Sequence, residues 1–248
     1  MKSQYEKKRL ITFDRIKIKS NYKYLLNTKV KFNEMFHSRS GKKIGIFYSS
    51  KDDINIPYNL YIAVSYIKQT LTLEFSSKIL KEKYPDLISR DTIKECLTNI
   101  NLLNICKIDI DGILSDGAIT SVDVTYDTNL ILSDNLLDVL NSQVNNYRRF
   151  KWTHYDKEGI MFTKDVKSKD CTETIILYNK EKEICTSHNK DFLNSLSQPQ
   201  SIIDYFKGKT RFELTLDTPK KNNEVFEFSR HQNIQCTKFR YKPYPYSI

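Results

Sequence analysis

Three segments of the chain alternate between apolar and polar side chains, which is the pattern of a β-strand with one buried face. These segments are residues 70–76, 119–127 and 210–216. Each carries a carboxylate among its polar residues: Glu74, Asp123 and Glu213. Because successive strand side chains point to opposite faces, all three acids are expected on the face away from the core. The fold is therefore predicted to contain a sheet with one apolar and one acid-bearing face.

Acidic residues are unfavourable in the middle of strands, so the presence of three of them on one face requires an explanation. One interpretation is that the face is simply solvated, as antiparallel sheets allow. The other is that Glu74, Asp123 and Glu213 hold a hard divalent cation, Mg²⁺ or Mn²⁺, which prefers oxygen ligands. Spacing alone leaves both interpretations open.

The remaining patterns predict an α+β fold with a largely antiparallel sheet and a few packed helices. Further strands are predicted at residues 10–19, 43–49, 60–65, 108–113, 150–154, 160–163 and 173–180. Helices are predicted at residues 93–103, 133–148 and 190–206, the last one interrupted by Pro199. Residues 1–216 are expected to form one domain, and residues 217–248 a basic and aromatic C-terminal tail that is flexible.

The chain carries 40 Lys and Arg against 30 Asp and Glu, a formal charge of 40 − 30 = +10. Several cations stand beside aromatic residues, and these are the predicted DNA contacts: Arg148, Arg149, Lys151, Lys238 and Arg240. Basic side chains replace counterions on a phosphate backbone, and aromatic rings stack on unpaired bases. Charge alone is equally consistent with a solvated surface.

Several classes of protein are excluded by missing motifs. Five cysteines occur without a C-x-x-C pair, which predicts free thiols in a reducing cytoplasm. The sequence contains neither a phosphate-loop nor a dinucleotide-binding glycine motif. No apolar run approaches the roughly 18 residues that a membrane span needs. The sequence thus favours a cytoplasmic protein with no membrane partner.

Tyr178 is a possible nucleophile at the end of an apolar run. A phenol with an ordinary pKa of about 10 reacts poorly at neutral pH and needs a metal or a neighbouring base. Lys180 lies two residues further and is expected on the same strand face, where it would stabilise a phenolate or contact a phosphate. A packing role for Tyr178 is the alternative, as for most strand tyrosines.

Four segments, taken in order, resemble the replication initiators of filamentous phages (the gene II/X replication proteins) and related plasmids. They are residues 73–80, 119–126, 174–184 and 211–216. The chain departs from the family's R-I-D pattern at Ser121, which stands where the arginine is expected. That departure leaves a phosphate or carboxylate contact either missing or supplied by Arg211.

The resemblance implies a site-specific endonuclease and strand transferase for rolling-circle replication, dependent on Mg²⁺ or Mn²⁺. Tyr178 would attack an origin phosphodiester, keep the 5′-phosphate as a phosphotyrosine ester and free a 3′-OH primer, aided by Lys180. Asp123, Glu213 and Glu74 would be metal ligands, and Arg211 a phosphate contact. The implied partners are phage or plasmid origin DNA and a host helicase and polymerase in the bacterial cytoplasm.

Two other functions remain open from the sequence. A DNA-binding replication regulator that does not cut would share the +10 charge but would need neither Tyr178 nor the acids. A conjugative-transfer enzyme would use the same chemistry on a transfer origin. The four histidines lie far apart and form no relaxase-type triad.

Overall fold

The computed structural model describes residues 11–53, 55–144, 150–155, 159–164, 172–217, 226–228 and 234–236. The strands are β1 Phe13–Asn21, β2 Leu25–Thr28, β3 Asn33–Phe36, β4 Lys43–Ser49, β5 Leu60–Ser65, β6 Thr70–Ser76, β7 Cys106–Ile108, β8 Ala118–Thr128, β9 Phe150–Tyr155, β10 Gly159–Lys164, β11 Thr172–Asn179, β12 Thr210–Asp217, β13 Phe226–Phe228 and β14 Ile234–Cys236. The helices are α1 Ile93–Leu102, α2 Ile110–Asp116, α3 Asp134–Val144, α4 Lys180–Ile184, α5 Ser187–Asn194 and α6 Pro199–Phe206. Short 3-10 segments cover Tyr22–Tyr24, Ser50–Asp52 and Ser77–Asp86.

One large antiparallel sheet dominates the fold. Its strand order is β3-β4-β5-β6-β1-β8-β12-β11-β10-β9, and β13 pairs with both β8 and β14. Strands β2 and β7 form a separate antiparallel pair. This architecture confirms the predicted α+β class and its largely antiparallel sheet. Strands β13 and β14 lie within the predicted C-terminal tail, and β13 adds to the sheet.

One face of the sheet builds the core. Ile16 of β1, Phe75 of β6 and Val122 of β8 are fully buried in a single apolar cluster. The same cluster includes Leu97 and Ile100 of α1, so this helix packs on the apolar side. The alternating pattern predicted this face correctly because an antiparallel sheet buries the side chains of one face, and these recur at every second residue.

The opposite face carries the three acids. In the strand register Glu74 lies opposite Lys17, and Arg15 lies opposite Asp123. Asp123 is in turn opposite Thr215, two residues from Glu213 on β12. Paired residues share a face, so the predicted acid-bearing face is confirmed.

A bulge in β1 adds one further acid to this face. The register shifts between Phe13 and Arg15, so Asp14 is an extra residue in the strand. The side chain of a bulged residue points in a different direction from the one that regular alternation would give it. The Asp14 carboxylate accepts a hydrogen bond from Ser77 and lies 3.3 Å from Arg211, on the acid-bearing side.

One local prediction is corrected and one is confirmed. Residues 108–113 were expected to be a strand, but β7 ends at Ile108 and α2 begins at Ile110. Asp109 caps that helix, since its side chain accepts the Gly112 N–H at 3.0 Å. Pro199 does interrupt the predicted helix, because it occupies the first turn of α6, where a missing N–H costs nothing. None of the described helices has the length and apolar character needed to cross a bilayer.

Candidate active site

Tyr178 donates its phenolic hydrogen bond to Glu213 Oε1 at 2.7 Å. Both side chains come from adjacent strands, because β11 pairs with β12 and Tyr178 stands opposite Arg211. Tyr178 is 5% exposed. The structure thus joins the predicted nucleophile to one of the three predicted acids.

The electrostatics of this pair keep the proton on Tyr178 and place a carboxyl group with a pKa near neutrality beside it. Burial, together with the negative charge of Asp14, raises the pKa of Glu213 to about 7. Burial and the Glu213 carboxylate raise the pKa of Tyr178 well above its ordinary value, so the phenol holds its proton. A general base is most effective when its pKa lies near the working pH. Glu213 therefore combines a hydrogen bond from the Tyr178 hydroxyl with a pKa near neutrality.

Arg211 is buried beside this pair, and its guanidinium is bound by other side chains of the protein. Its guanidinium makes two parallel bonds to Asp127, at 2.7 and 2.9 Å. It also donates to the Tyr84 hydroxyl at 3.0 Å and lies 3.3 Å from Asp14 and 3.9 Å from Glu213. At 0% exposure, Arg211 neutralises buried carboxylates rather than presenting its charge at the surface.

Lys180 is the second buried cation and begins α4. Its ammonium pairs with Glu183. The nitrogen also lies 5.5 to 5.6 Å from the ring centroids of Tyr84, Tyr178 and Phe206. Ring faces attract a cation at such distances. Lys180 therefore lies beside the tyrosine with its charge directed into the protein, but as the first residue of α4 rather than on the predicted strand of residues 173–180.

Asp123 and Glu74 form a separate group around Arg15. Arg15 Nε lies 2.8 Å from Asp123 Oδ2, and Arg15 Nη1 lies 2.9 Å from Glu74 Oε1. Lys17 binds the second Glu74 oxygen at 2.8 Å, and Thr215 donates to Asp123 at 2.8 Å. These pairs lower the pKa of Glu74 against the effect of burial. Both carboxylates are thus already held by cations.

The three predicted metal ligands therefore fall into two places. Glu213 faces Tyr178, whereas Asp123 and Glu74 share Arg15. In the part of the chain that the structure describes, no group of three or more His, Cys, Asp and Glu side chains is arranged to hold a metal ion. This donor set, with two of its carboxylates paired to Arg15, does not fit a Mg²⁺ or Mn²⁺ site. The requirement for either ion stays a prediction.

Of the other five predicted DNA contacts, the structure describes the position of one. Lys151 lies in β9. Four lie outside the described residues: Arg148, Arg149, Lys238 and Arg240. Their contact with DNA stays a prediction.

Sequence reasoning missed three charged residues of the site: Asp14, Arg15 and Asp127. Asp127 stands on the same alternating row as Asp123, so the strand pattern could have found it. Asp14 depends on a bulge, for which no local signal was found. Arg15 brings a guanidinium to Asp123 and, at 3.3 Å, to Ser121, where the family pattern has its own arginine.

Comparison with known families gives a match over the middle and later parts of the chain. The family model described as the N-terminal part of a phage replication-associated protein matches residues 88–235. The matched region is more than half of the 248 residues, and it contains Asp123, Tyr178 and Glu213 but neither Arg15 nor Glu74. No curated protein matches the chain.

Proposed function

Because the chain belongs to this phage replication initiator family, we propose that it cuts one strand of an origin with Tyr178 as nucleophile. The observation that carries the proposal is the 2.7 Å hydrogen bond from Tyr178 to Glu213. A phenol next to a buried carboxylate with a pKa near neutrality is a recognisable nucleophile and base.

In the proposed step the Tyr178 oxygen attacks the phosphorus of a DNA phosphodiester. The phenolic proton passes to Glu213, the bond from phosphorus to the 3′ oxygen breaks, and that oxygen takes a proton from solvent. The 5′-phosphate stays on Tyr178 as an ester. The ester keeps the energy of the broken bond, so a 3′-OH can reverse the step and join the strand without ATP. Arg211 and Lys180 stay paired with protein carboxylates, and the Arg211 guanidinium, 3.9 Å from Glu213, keeps positive charge beside the base.

The burial of Tyr178 sets a condition on this chemistry. With the residue only 5% exposed, groups around the hydroxyl must move before a phosphate can reach it. Arrangements that tighten or open only with substrate are common in enzymes. We propose that origin DNA itself drives this opening.

Removal of the base makes a quantitative prediction. Because Glu213 acts only when ionised, the wild-type nicking rate should rise with pH through about 7 and then level off. Glu213→Gln should lower the plateau by about 10²- to 10⁴-fold and abolish the rise. The measurement is the single-turnover nicking rate of both proteins from pH 5.5 to 8.5. A pH rise that persists in Glu213→Gln would contradict the role.

The stability of the same variant is its control. The folded-state pKa of Glu213 lies above its ordinary 4.5, so its contribution to stability is full below 4.5 and is lost as the pH rises through about 7. A neutral glutamine avoids this loss. The free energy of unfolding of Glu213→Gln at pH 8, measured by urea, should therefore equal or exceed the wild-type value.

The proposed partners follow from the chemistry. A free 3′-OH on a circular duplex is a primer, so a polymerase and a helicase of the bacterial host are proposed to act next, in the host cytoplasm. Mg²⁺ or Mn²⁺ is proposed as a requirement on the resemblance alone, and no step above is assigned to it.

A second function, DNA binding without cutting, is favoured by the burial and raised pKa of Tyr178. One assay separates the two. Purified protein is incubated with supercoiled plasmid carrying the native origin in Mg²⁺, Mn²⁺ or chelator, and the products are resolved on a gel. Nicked circles that appear with the wild-type protein and not without it support the function of a nicking initiator. Salt-sensitive binding with no nicks in either ion supports the regulator.

A further inference from the structure

The acid-bearing face extends beyond Glu74 onto strands that hold no part of the proposed cutting site. Tyr61 of β5 lies opposite Glu74, and Ser49 of β4 lies opposite Tyr61. Phe47 shares this face through its partner Ala63. A surface cavity of about 490 Å³ opens here, the aromatic groove, whose lining includes Lys17, Phe47, Lys51, Asn59, Tyr61 and Glu74.

The charge around this groove favours an anion. A second cavity of about 480 Å³ shares Tyr61 and is lined by Lys19 and Lys68. The linings of the two cavities together include four lysines and one carboxylate, Glu74. Burial, followed by repulsion from Lys17 and Lys68, lowers the pKa of Lys19. A phosphate chain placed among these lysines would relieve that repulsion.

The two rings suit a base. The Phe47 and Tyr61 centroids are 6.1 Å apart with 33° between the ring planes, and both side chains are only partly buried. Every base has a π-face, so exposed aromatic rings beside cations are the usual platform for an unpaired strand. In a paired duplex the base faces are covered by stacking and cannot reach such rings. The cavity lies within the roughly 300–1,000 Å³ of small-ligand sites, enough for a single nucleotide.

We propose that the aromatic groove binds an unpaired nucleotide of single-stranded DNA, its base on Tyr61 and Phe47 and its phosphates at Lys17 and Lys51. The groove and Tyr178 lie on the same sheet face. They are separated by five strand spacings across the sheet, roughly 24 Å, and by six residues along β11, roughly 20 Å, because the row of Tyr61 meets β11 at Thr172. A strand laid across the sheet would pass from the groove over Arg15 and Asp123 towards Tyr178. That this nucleotide flanks the cut rests on the proposed function; the binding does not.

Single-strand affinity tests the groove directly. Fluorescence anisotropy is measured with a labelled oligothymidylate of about twelve nucleotides, within common single-strand site sizes, and with a duplex of the same length. Tyr61→Leu should raise the Kd for the single strand about fivefold or more, the loss expected for one stacked base. The duplex Kd should stay within about twofold, since no base of a duplex stacks on the ring. Tyr22→Leu is the control, because Tyr22 is an exposed tyrosine that lines neither cavity.

Two results overturn the proposal: an unchanged single-strand Kd in Tyr61→Leu, or an equal loss for single strand and duplex. Lys51→Gln, at an exposed position, is the second variant. It should reduce the slope of log Kd against log salt for the single strand by about 0.7, and an unchanged slope also counts against the groove. Wild-type nicking of origin plasmid is scored separately. Nicking with a normal Tyr61→Leu affinity refutes the groove alone, whereas absent nicking with a weakened affinity refutes the proposed function alone.

Discussion

Tyr178→Phe is expected to abolish nicking of origin plasmid and to leave DNA binding nearly unchanged. The substitution removes only the hydroxyl, which is the attacking oxygen in the proposed step and the donor to Glu213 at 2.7 Å. Loss of a nucleophile commonly costs several orders of magnitude, so we expect the rate to fall by at least about 10³-fold. The measurements are single-turnover nicking and the Kd for origin DNA at fixed salt.

Tyr84→Phe is the matched control for this result. It removes another hydroxyl from the same buried cluster, one that accepts a hydrogen bond from Arg211 but has no proposed reaction. A cost of about 1 kcal/mol in the free energy of unfolding is expected, with nicking retained. Normal nicking by Tyr178→Phe, or equal losses in both variants, would contradict the assignment of Tyr178 as nucleophile.

Arg211→Met is expected to lower the free energy of unfolding by about 3–5 kcal/mol, because it leaves buried carboxylates without their cation. Asp127 loses a bidentate ion pair, and Asp14 and Glu213 lose a nearby positive charge. The Arg211 charge helps to lower the pKa of Asp14 against burial, so without it the Asp14 pKa should rise. Protonation then compensates in part, and the loss should be smaller at pH 5 than at pH 8. Urea unfolding at both pH values measures it.

Two variants control this prediction. Arg39→Met removes an exposed arginine and should change the free energy of unfolding by less than about 0.5 kcal/mol. Arg211→Lys keeps the charge but cannot form the two parallel bonds, so its loss should be intermediate. Wild-type stability of Arg211→Met, combined with weaker DNA binding, would mean that Arg211 is mainly a DNA contact.

The sheet was predictable because strand alternation is a local pattern. Residues 43–49 and 60–65 were predicted as strands and form β4 and β5 with those bounds. The shared face of Glu74, Asp123 and Glu213 also follows from the period of two. The strand predicted at residues 108–113 was wrong because a short apolar run has no clear period. The N-cap at Asp109 instead starts helix α2 at Ile110.

The burial of the acid-bearing face could not be read from the sequence. Near Tyr178 this face is covered by the rings of Tyr84 and Phe206, whose contacts come from distant parts of the chain. Near Tyr61 the same face borders open cavities. The same alternating strand pattern therefore occurs both at a buried charged cluster and at an open groove. The two differ only in whether distant parts of the chain pack over the face. That packing also changes the expected role of Arg211, from a phosphate contact to a buried partner of Asp127.

The most direct test of the central claim is to identify the residue that becomes attached to DNA. Wild-type protein is incubated with supercoiled plasmid carrying the native origin and Mg²⁺ or Mn²⁺, the nucleic acid is digested, and the peptides are mapped by mass spectrometry. We predict a nucleotide-modified peptide with the 5′-phosphate on Tyr178 and none in the Tyr178→Phe protein. An adduct on another residue, or nicked DNA without any adduct, would contradict the account.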